Sequence, residues 1–337
     1  MQLIVVGPGT VGASFSRIVT ERADWLRREY GLVPRILAII DSKGAMITPN
    51  GASAKEIIEF HAKHLVSNGK TIGRPGATVV EVLEDVEADV LMEFTPTNIN
   101  TGQPGLGHIE AAMKKGLSVV TTNKGPLAVA MPALLELAEY KHVEFRFSGT
   151  VGGGTPVLQL AKECLDGNRI LSVEGVLNGT TNYILTRMHD AGVSLNEALA
   201  EAQRLGYAEA DPRMDIDGLD TAAKLVILNN WAMGGRLSIS DVAVEGISGV
   251  TATSVEEAKR QGGAVKLLGS AIGSEASVKP QAIPSTSPLC VTGTLNAVSL
   301  KTELAGTVTL TGHGAGGTQT AAAALRDLID IKRTLLD

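Results

Sequence analysis

Three features of the sequence predict an α/β protein with a doubly wound parallel sheet and a second, α+β domain. Apolar strand-like runs alternate with helix-like segments in the first third of the chain. A glycine-rich turn joins the first run to the first helix, and beyond Gly149 the texture changes to helices followed by β-rich segments. At 337 residues the chain exceeds one ordinary domain, and two are expected.

The elements follow in order. Residues 3–6 form a short β-branched strand, residues 11–30 have helical spacing with a charged face, and residues 35–40 are continuously apolar up to Asp41. Continuous apolar strands separated by helices belong in a parallel sheet buried on both faces. The alternation continues with a strand at 88–94, a helix around 107–115, a strand at 118–121, a helix at 126–140 and a strand at 143–147. The second domain opens with Gly152-Gly153-Gly154, an amphipathic helix at 156–165 and a strand near 170–177. Helices at 195–205 and 218–233 then precede β-rich segments at 265–272, 278–283, 297–303 and 307–311. A closing helix at 315–328 returns to the first domain. The expected division is residues 1–148, completed by 312–337, for the first domain, and 149–311 for the second.

Composition narrows the function. Thirty Lys and Arg against 36 Asp and Glu give a net charge of −6, which argues against nucleic acid or an anionic membrane as partner. Aromatic residues, at 3%, are too few for stacking platforms. Two cysteines, Cys164 and Cys290, build neither a disulfide framework nor a four-sulfur zinc site. The chain starts directly in an apolar strand, with no basic leader and no stretch of the roughly 18–20 apolar residues that span a bilayer. The reading is a cytoplasmic protein.

Gly7-Pro8-Gly9-Thr10-Val11-Gly12 follows a strand and opens a helix, the context in which a glycine fingerprint is informative. The first glycine permits the tight turn, the second admits a pyrophosphate to the backbone, and the third lets helix pack on strand. This makes the first domain Rossmann-type. Asp41 ends the second strand, where a carboxylate accepts hydrogen bonds from an adenosine ribose, while Lys43 beyond it suits a 2′-phosphate, so NAD and NADP both remain open. The bland alternative is a plain turn with a surface aspartate. Residues 94–98 and 121–126 sit at ends of parallel strands, where such folds bind ligands, and Lys124 is a cation fixed there.

Residues 202–224 hold Glu209, Asp211, Asp215, Asp217 and Asp220, then Lys224. Asp220 and Lys224 lie four apart on one helix face. As a surface ion pair they would contribute a few tenths of a kcal/mol. Their apolar flanks (Ile216, Leu219, Leu225, Val226, Ile227) argue instead for a partly buried lysine able to donate a proton. His61 and His64 share a polar face and read as solvated; Cys164, in an apolar helix, reads as a core thiol.

The spacing of Gly206, Asp211-Pro212, Asp215, Gly218, Asp220 and Lys224 resembles the signature of the homoserine dehydrogenase family. Similar blocks are Thr121-Thr122-Asn123-Lys124, Gly149-Thr150-Val151-Gly152-Gly153-Gly154-Thr155-Pro156, Asn178-Gly179-Thr180-Thr181-Asn182-Tyr183-Ile184 and Gly312-His313-Gly314-Ala315-Gly316, so the likeness covers nearly the whole chain. It implies NAD(P)-dependent interconversion of L-homoserine and L-aspartate 4-semialdehyde, on the route to threonine, methionine and isoleucine, by a homodimer. By the same likeness Lys224 and Lys124 are catalytic, and Glu209, Asp220 and Asp215 bind substrate. Gly7, Gly9, Thr10, Val11, Gly12, Asp41, Thr95, Lys124 and Gly316 contact the cofactor, and carbonyls of Ser148, Val151, Gly153 and Thr155 hold a sodium ion. Pro8 departs from the fingerprint by removing one N–H donor. Neither a fused kinase nor a C-terminal regulatory domain is expected, and with them no direct threonine feedback. The rival readings are another dehydrogenase of a small amino or hydroxy acid and a dinucleotide sensor without catalysis.

Overall fold

The computed structural model describes residues 1–53, 56–57, 59–60, 66–67, 70–71 and 73–334. The chain divides into two compact units: unit 1 comprises Met1–Thr150 and Gly316–Asp337, and unit 2 comprises Val151–Ala315. His61 and His64 lie outside the described residues.

In unit 1, strands β1 (Gln2–Val6), β2 (Arg35–Asp41), β3 (Gly44–Ile47), β6 (Arg74–Pro75), β7 (Val90–Glu93), β8 (Ser118–Thr121) and β9 (Phe145–Arg146) form one sheet in the order β6-β3-β2-β1-β7-β8-β9. Two further short strands, β4 (Val66–Ser67) and β5 (Lys70–Thr71), pair separately. The run from β2 to β9 is parallel, as continuous apolar strands require, while β3 and β6 add an antiparallel edge. Strand order reverses between β1 and β7, which makes their carboxyl ends the topological switch point of a Rossmann-type sheet. The core is continuous from Leu3 and Val5 through Phe15, Ile39, Met92 and Phe94 to Leu328 and Ile331 of the C-terminal helix Gly317–Thr334.

The first helix departs from expectation. It is two helices, Thr10–Glu21 and Ala23–Tyr30, because the backbone at Arg22 leaves the helical region (φ −105°, ψ 15°). The second piece buries only Leu26, while Trp25 stays at the surface edge-on to Tyr30.

In unit 2, β10 (Ile170–Val176), β11 (Val242–Val244), β12 (Gly263–Ile272), β13 (Glu275–Pro284), β14 (Leu295–Thr302) and β15 (Thr307–His313) form a sheet in the order β11-β13-β12-β10-β14-β15. Helices cover both faces. Lys266 of β12 meets Asn182 and Thr186 of the helix Gly179–Ala191, whereas Gly269, of opposite strand parity, faces Thr221 and Leu225 of the helix Leu219–Ala232. The helices Gly179–Ala191 and Ala252–Arg260 are absent from the sequence reading, although Asn178 and Thr251 cap them.

Cys164 corrects an expectation: it is exposed, not a core thiol. The helix around it is α-helical only over Val157–Gln159 and then widens to a π turn over Leu160–Cys164, closed by Leu165 N–H on the Leu160 carbonyl at 3.0 Å. The wider turn rotates Cys164 away from the face that buries Ala161 and Leu165.

Candidate active site

Each unit carries one cluster of candidate residues. In unit 1 the turn after β1 is tight for reasons that exclude side chains. Gly7 has φ +82°, and a Cβ there would lie 2.7 Å from the Phe94 carbonyl carbon and the Thr95 nitrogen. A Cβ at Gly12 would overlap the Gly7 carbonyl. Gly9 is different: nothing lies within 4 Å of its Cβ position, so the turn is open on that side. Gly9 caps the helix Thr10–Glu21 without a side-chain hydrogen bond, and the first turn holds no acidic residue. A helix N-terminus with open space before it suits a pyrophosphate. The residues present therefore fit a dinucleotide even with Pro8 in the loop.

The second glycine motif returns to the same place. A Cβ on Gly317 would lie 2.7 Å from Thr10 Cγ2, which sets Gly316 beside the turn. At the end of β2, Asp41 Oδ1 accepts from the amides of Lys43 at 2.7 Å and Gly44 at 3.2 Å, so the turn itself orients the carboxylate.

Beneath the turn lies a network that sequence reasoning missed. Glu93, the last residue of β7, is fully buried. Its carboxylate accepts from the Thr95 amide at 3.1 Å, from the Thr95 hydroxyl, and from the Thr121 hydroxyl at 3.1 Å. Asn123 donates to Thr95 Oγ1 at 3.1 Å and caps the helix Lys124–Lys141 through Gly125 N. Glu93 and Asn123 thus tie together two strand ends, 28 residues apart in sequence, and place Thr95 and Lys124 beyond the carboxyl ends of neighbouring strands. An isolated Glu at a strand end gives no sequence signal.

In unit 2 the helix Leu219–Ala232 is buried from Asp220 through Asn230, so its polar residues face partners instead of water. Lys224 Nζ pairs with Asp220 Oδ2 at 2.7 Å and donates to the Leu177 carbonyl at 2.7 Å. Lys224 is 6% exposed and Asp220 9%. The two hydrogens of the Asn178 amide join Asp220 Oδ2, at 2.9 Å, to Asp215 Oδ1, at 2.6 Å. Burial, and next the Asp220 charge, push the Asp215 carboxyl above its ordinary range. Asn296 donates to the same Leu177 carbonyl at 2.8 Å.

The structure thus brings together Asp215, Asp220 and Lys224 and adds Asn178, Leu177 and Asn296. Asn178 is legible as a cap, with Thr181 N–H on its Oδ1 at 2.8 Å, but not as the bridge between two carboxylates. Glu209 is exposed on the loop beyond the helix Leu195–Arg204; its carbonyl accepts from Gln203 Nε2 at 3.1 Å. The Gly-rich turn is glycine-lined on both sides: a Cβ at Gly153 (φ +54°) would lie 2.9 Å from the Gly314 carbonyl carbon. The Thr155 carbonyl already accepts from Val157 N–H at 2.8 Å, and Ser148 donates its amide to Asp327 Oδ2 at 2.8 Å. Among the described residues no group of three or more His, Cys, Asp or Glu could hold a metal ion, and no helix is long and apolar enough to cross a membrane.

Comparison with known proteins joins these clusters to one family. A family model described as homoserine dehydrogenase matches residues 156–329. A homoserine dehydrogenase of Methanocaldococcus jannaschii is 44% identical over 98% of both chains. The crystal structure of a homoserine dehydrogenase from Thiobacillus denitrificans superposes with a TM-score of 0.85 at 32% identity, covering 100% of this chain and 74% of that one. A mutant of a hyperthermophilic archaeal homoserine dehydrogenase in complex with NADPH gives a TM-score of 0.86 at 28% identity, covering 99% of this chain and 98% of that one.

Proposed function

The chain belongs to the homoserine dehydrogenase family, and from that premise we propose how its residues divide the work. It is an NAD(P)-dependent oxidoreductase acting on a CH–OH group, which interconverts L-homoserine and L-aspartate 4-semialdehyde. Bound NAD(P) supplies or accepts the hydride. Gly7, Gly9, Thr10, Val11, Gly12 and Gly316 cradle the pyrophosphate, Asp41 takes the adenosine ribose, and Thr95 and Lys124 fix the ring end of the cofactor, Lys124 acting as the second catalytic lysine.

The Lys224 constellation is the observation that carries the catalytic reading. Two of the three Nζ hydrogens go to Asp220 and the Leu177 carbonyl, and the third is available to the substrate oxygen. As the aldehyde is reduced, negative charge develops on that oxygen; Lys224 stabilises it and donates the proton. In the reverse direction it takes the hydroxyl proton. Asp220 and Asn178 act through Lys224 by holding its position, and Asp215 completes the anionic wall. Glu209 binds the substrate's α-ammonium, which fixes the reacting carbon.

A sodium ion on the carbonyls of Ser148, Val151, Gly153 and Thr155 is supported by family likeness alone, and comparing activity in sodium and potassium buffers tests it. A homodimer rests on the same likeness, and light scattering decides it. Cytoplasmic residence is supported by two cysteines that form no disulfide. The reaction is tested by following reduced nicotinamide absorbance with L-homoserine and either NAD or NADP. Turnover with Lys224→Ala equal to that of the parent enzyme would overturn the role given to Lys224.

A further inference from the structure

Unit 2 holds a second buried lysine that the reaction does not use. Lys266, in the middle of β12, is 2% exposed. Its Nζ donates to Asn182 Oδ1 at 2.8 Å and to Thr186 Oγ1 at 3.3 Å, both uncharged, and one N–H is left over. A buried ammonium ordinarily has an anion beside it. Burial pushes the Lys266 ammonium down, against a weaker opposing pull from Cys290 and Asp190.

Lys266 lines a cavity of about 360 Å³, together with His189, Lys259 and Cys290. That volume lies at the lower end of small-ligand sites, roughly 300–1,000 Å³. Buried polar atoms are rarely left unpaired, and Lys266 lines the cavity with an N–H to spare. Lys259, whose Nζ donates to the His189 carbonyl at 3.0 Å, adds a further cation. Two lysines against the one carboxylate of Asp190 favour an anion, while Asp190 weighs against a second negative charge on it. Ala264 and the Cys290 side chain give the wall an apolar part, which suits an organic body better than a hydrated inorganic ion.

We propose that this cavity is a binding site for a small organic monocarboxylate, with Lys266 holding the carboxylate. The site shares no residue with the Lys224 cluster and does not depend on the roles assigned there.

The two cysteines provide the test, because Cys290 lines the cavity and Cys164 is exposed and does not. Iodoacetate and iodoacetamide alkylate a thiolate by the same step: the sulfur forms a bond to the CH₂ carbon and iodide leaves with the electron pair of the broken C–I bond. They differ in that only iodoacetate is a carboxylate. With intact enzyme, the iodoacetate-to-iodoacetamide rate ratio at Cys290, divided by the same ratio at Cys164, is expected to be at least about tenfold, equivalent to 1.4 kcal/mol. The Cys290 rate should saturate with iodoacetate, and butyrate should suppress it. Lys266→Met, checked for retained turnover, should bring the ratio close to unity. A wild-type ratio near one without saturation overturns the site, as does an undiminished ratio in a folded Lys266→Met. Protection by inorganic phosphate equal to that by butyrate overturns the carboxylate assignment. If Lys266→Met does not fold, saturation and butyrate protection in the wild-type enzyme decide alone.

Discussion

The candidate nucleotide site of unit 1 is made largely of backbone, whereas the candidate substrate site of unit 2 is made largely of side chains. Six consecutive residues, Gly7 to Gly12, build the first: two glycines leave no room for a Cβ and the third leaves space for a ligand. The second gathers Leu177, Asn178, Asp215, Asp220, Lys224 and Asn296, whose sequence separations reach 119 residues. Binding a common phosphate-bearing cofactor asks for amides at a helix end, which any strand–turn–helix with the right glycines supplies. Moving a proton asks for one charged group held within hydrogen-bond reach of the substrate, and only a buried network holds it that firmly.

The comparison breaks most sharply at Lys224. Lys224→Ala should lower kcat by about 10³-fold, within the usual range for a general acid, while the affinity for NAD(P), read by fluorescence, stays unchanged. The same change leaves Asp220 buried without its cation, a loss of roughly 3–5 kcal/mol in thermal or denaturant unfolding. Gly7→Ala and Gly9→Ala test the backbone site as a pair. Alanine at 7 must adopt φ +82° against the Phe94 and Thr95 backbone, so both melting temperature and cofactor affinity should fall. Alanine at 9 meets nothing, so the melting temperature should hold while affinity drops about 10- to 100-fold. Equal losses of stability at the two positions would remove the distinction between them.

Asn178→Ala removes a cap and the bridge between two carboxylates. Stability should fall by about 1–2 kcal/mol. The acid limb of the kcat profile should also move upward in pH, because the Asn178 hydrogen bond is one of the contacts that lowers Asp215. Asp41→Ala should weaken NAD about tenfold and NADP less, by titration of each; equal losses would show that Asp41 does not read the ribose.

An effect confined to one pH window belongs to Asp327, fully buried in the C-terminal helix against Ser148. Burial pushes its carboxyl up to about 7, against the hydrogen bonds from Ser148. Between the ordinary aspartate value and about 7 the folded chain keeps a proton that the unfolded chain has lost, so this residue's contribution falls as pH rises through that window. Asp327→Asn should flatten the fall in melting temperature over that range. An unchanged slope would mean that Asp327 is ionised in the folded protein.

Much of unit 1 was legible because its information is local. Apolar strands of four to seven residues and a glycine turn between strand and helix are patterns of neighbours in sequence, and β1, β2 and β8 lie where those patterns predict. The break at Arg22 was not legible, since no glycine or proline marks it. Cys164 was misplaced because a π turn changes which side of a helix faces the core without changing its composition. In unit 2, periodicity located the helix Leu219–Ala232 and spacing paired Asp220 with Lys224.

By itself, then, the sequence determined the alternation of elements, the glycine turn, the i,i+4 pairing of Asp220 with Lys224 and the family likeness, all of which live within a few residues or in contiguous blocks. Only the tertiary structure decided that Asn178 spans Asp215 and Asp220, that Glu93 locks Thr95 to Thr121, and that Lys266 is buried with a hydrogen to spare. The physical reason is burial: a polar side chain in water needs no particular partner, whereas one removed from water must find its partners wherever the fold brings them.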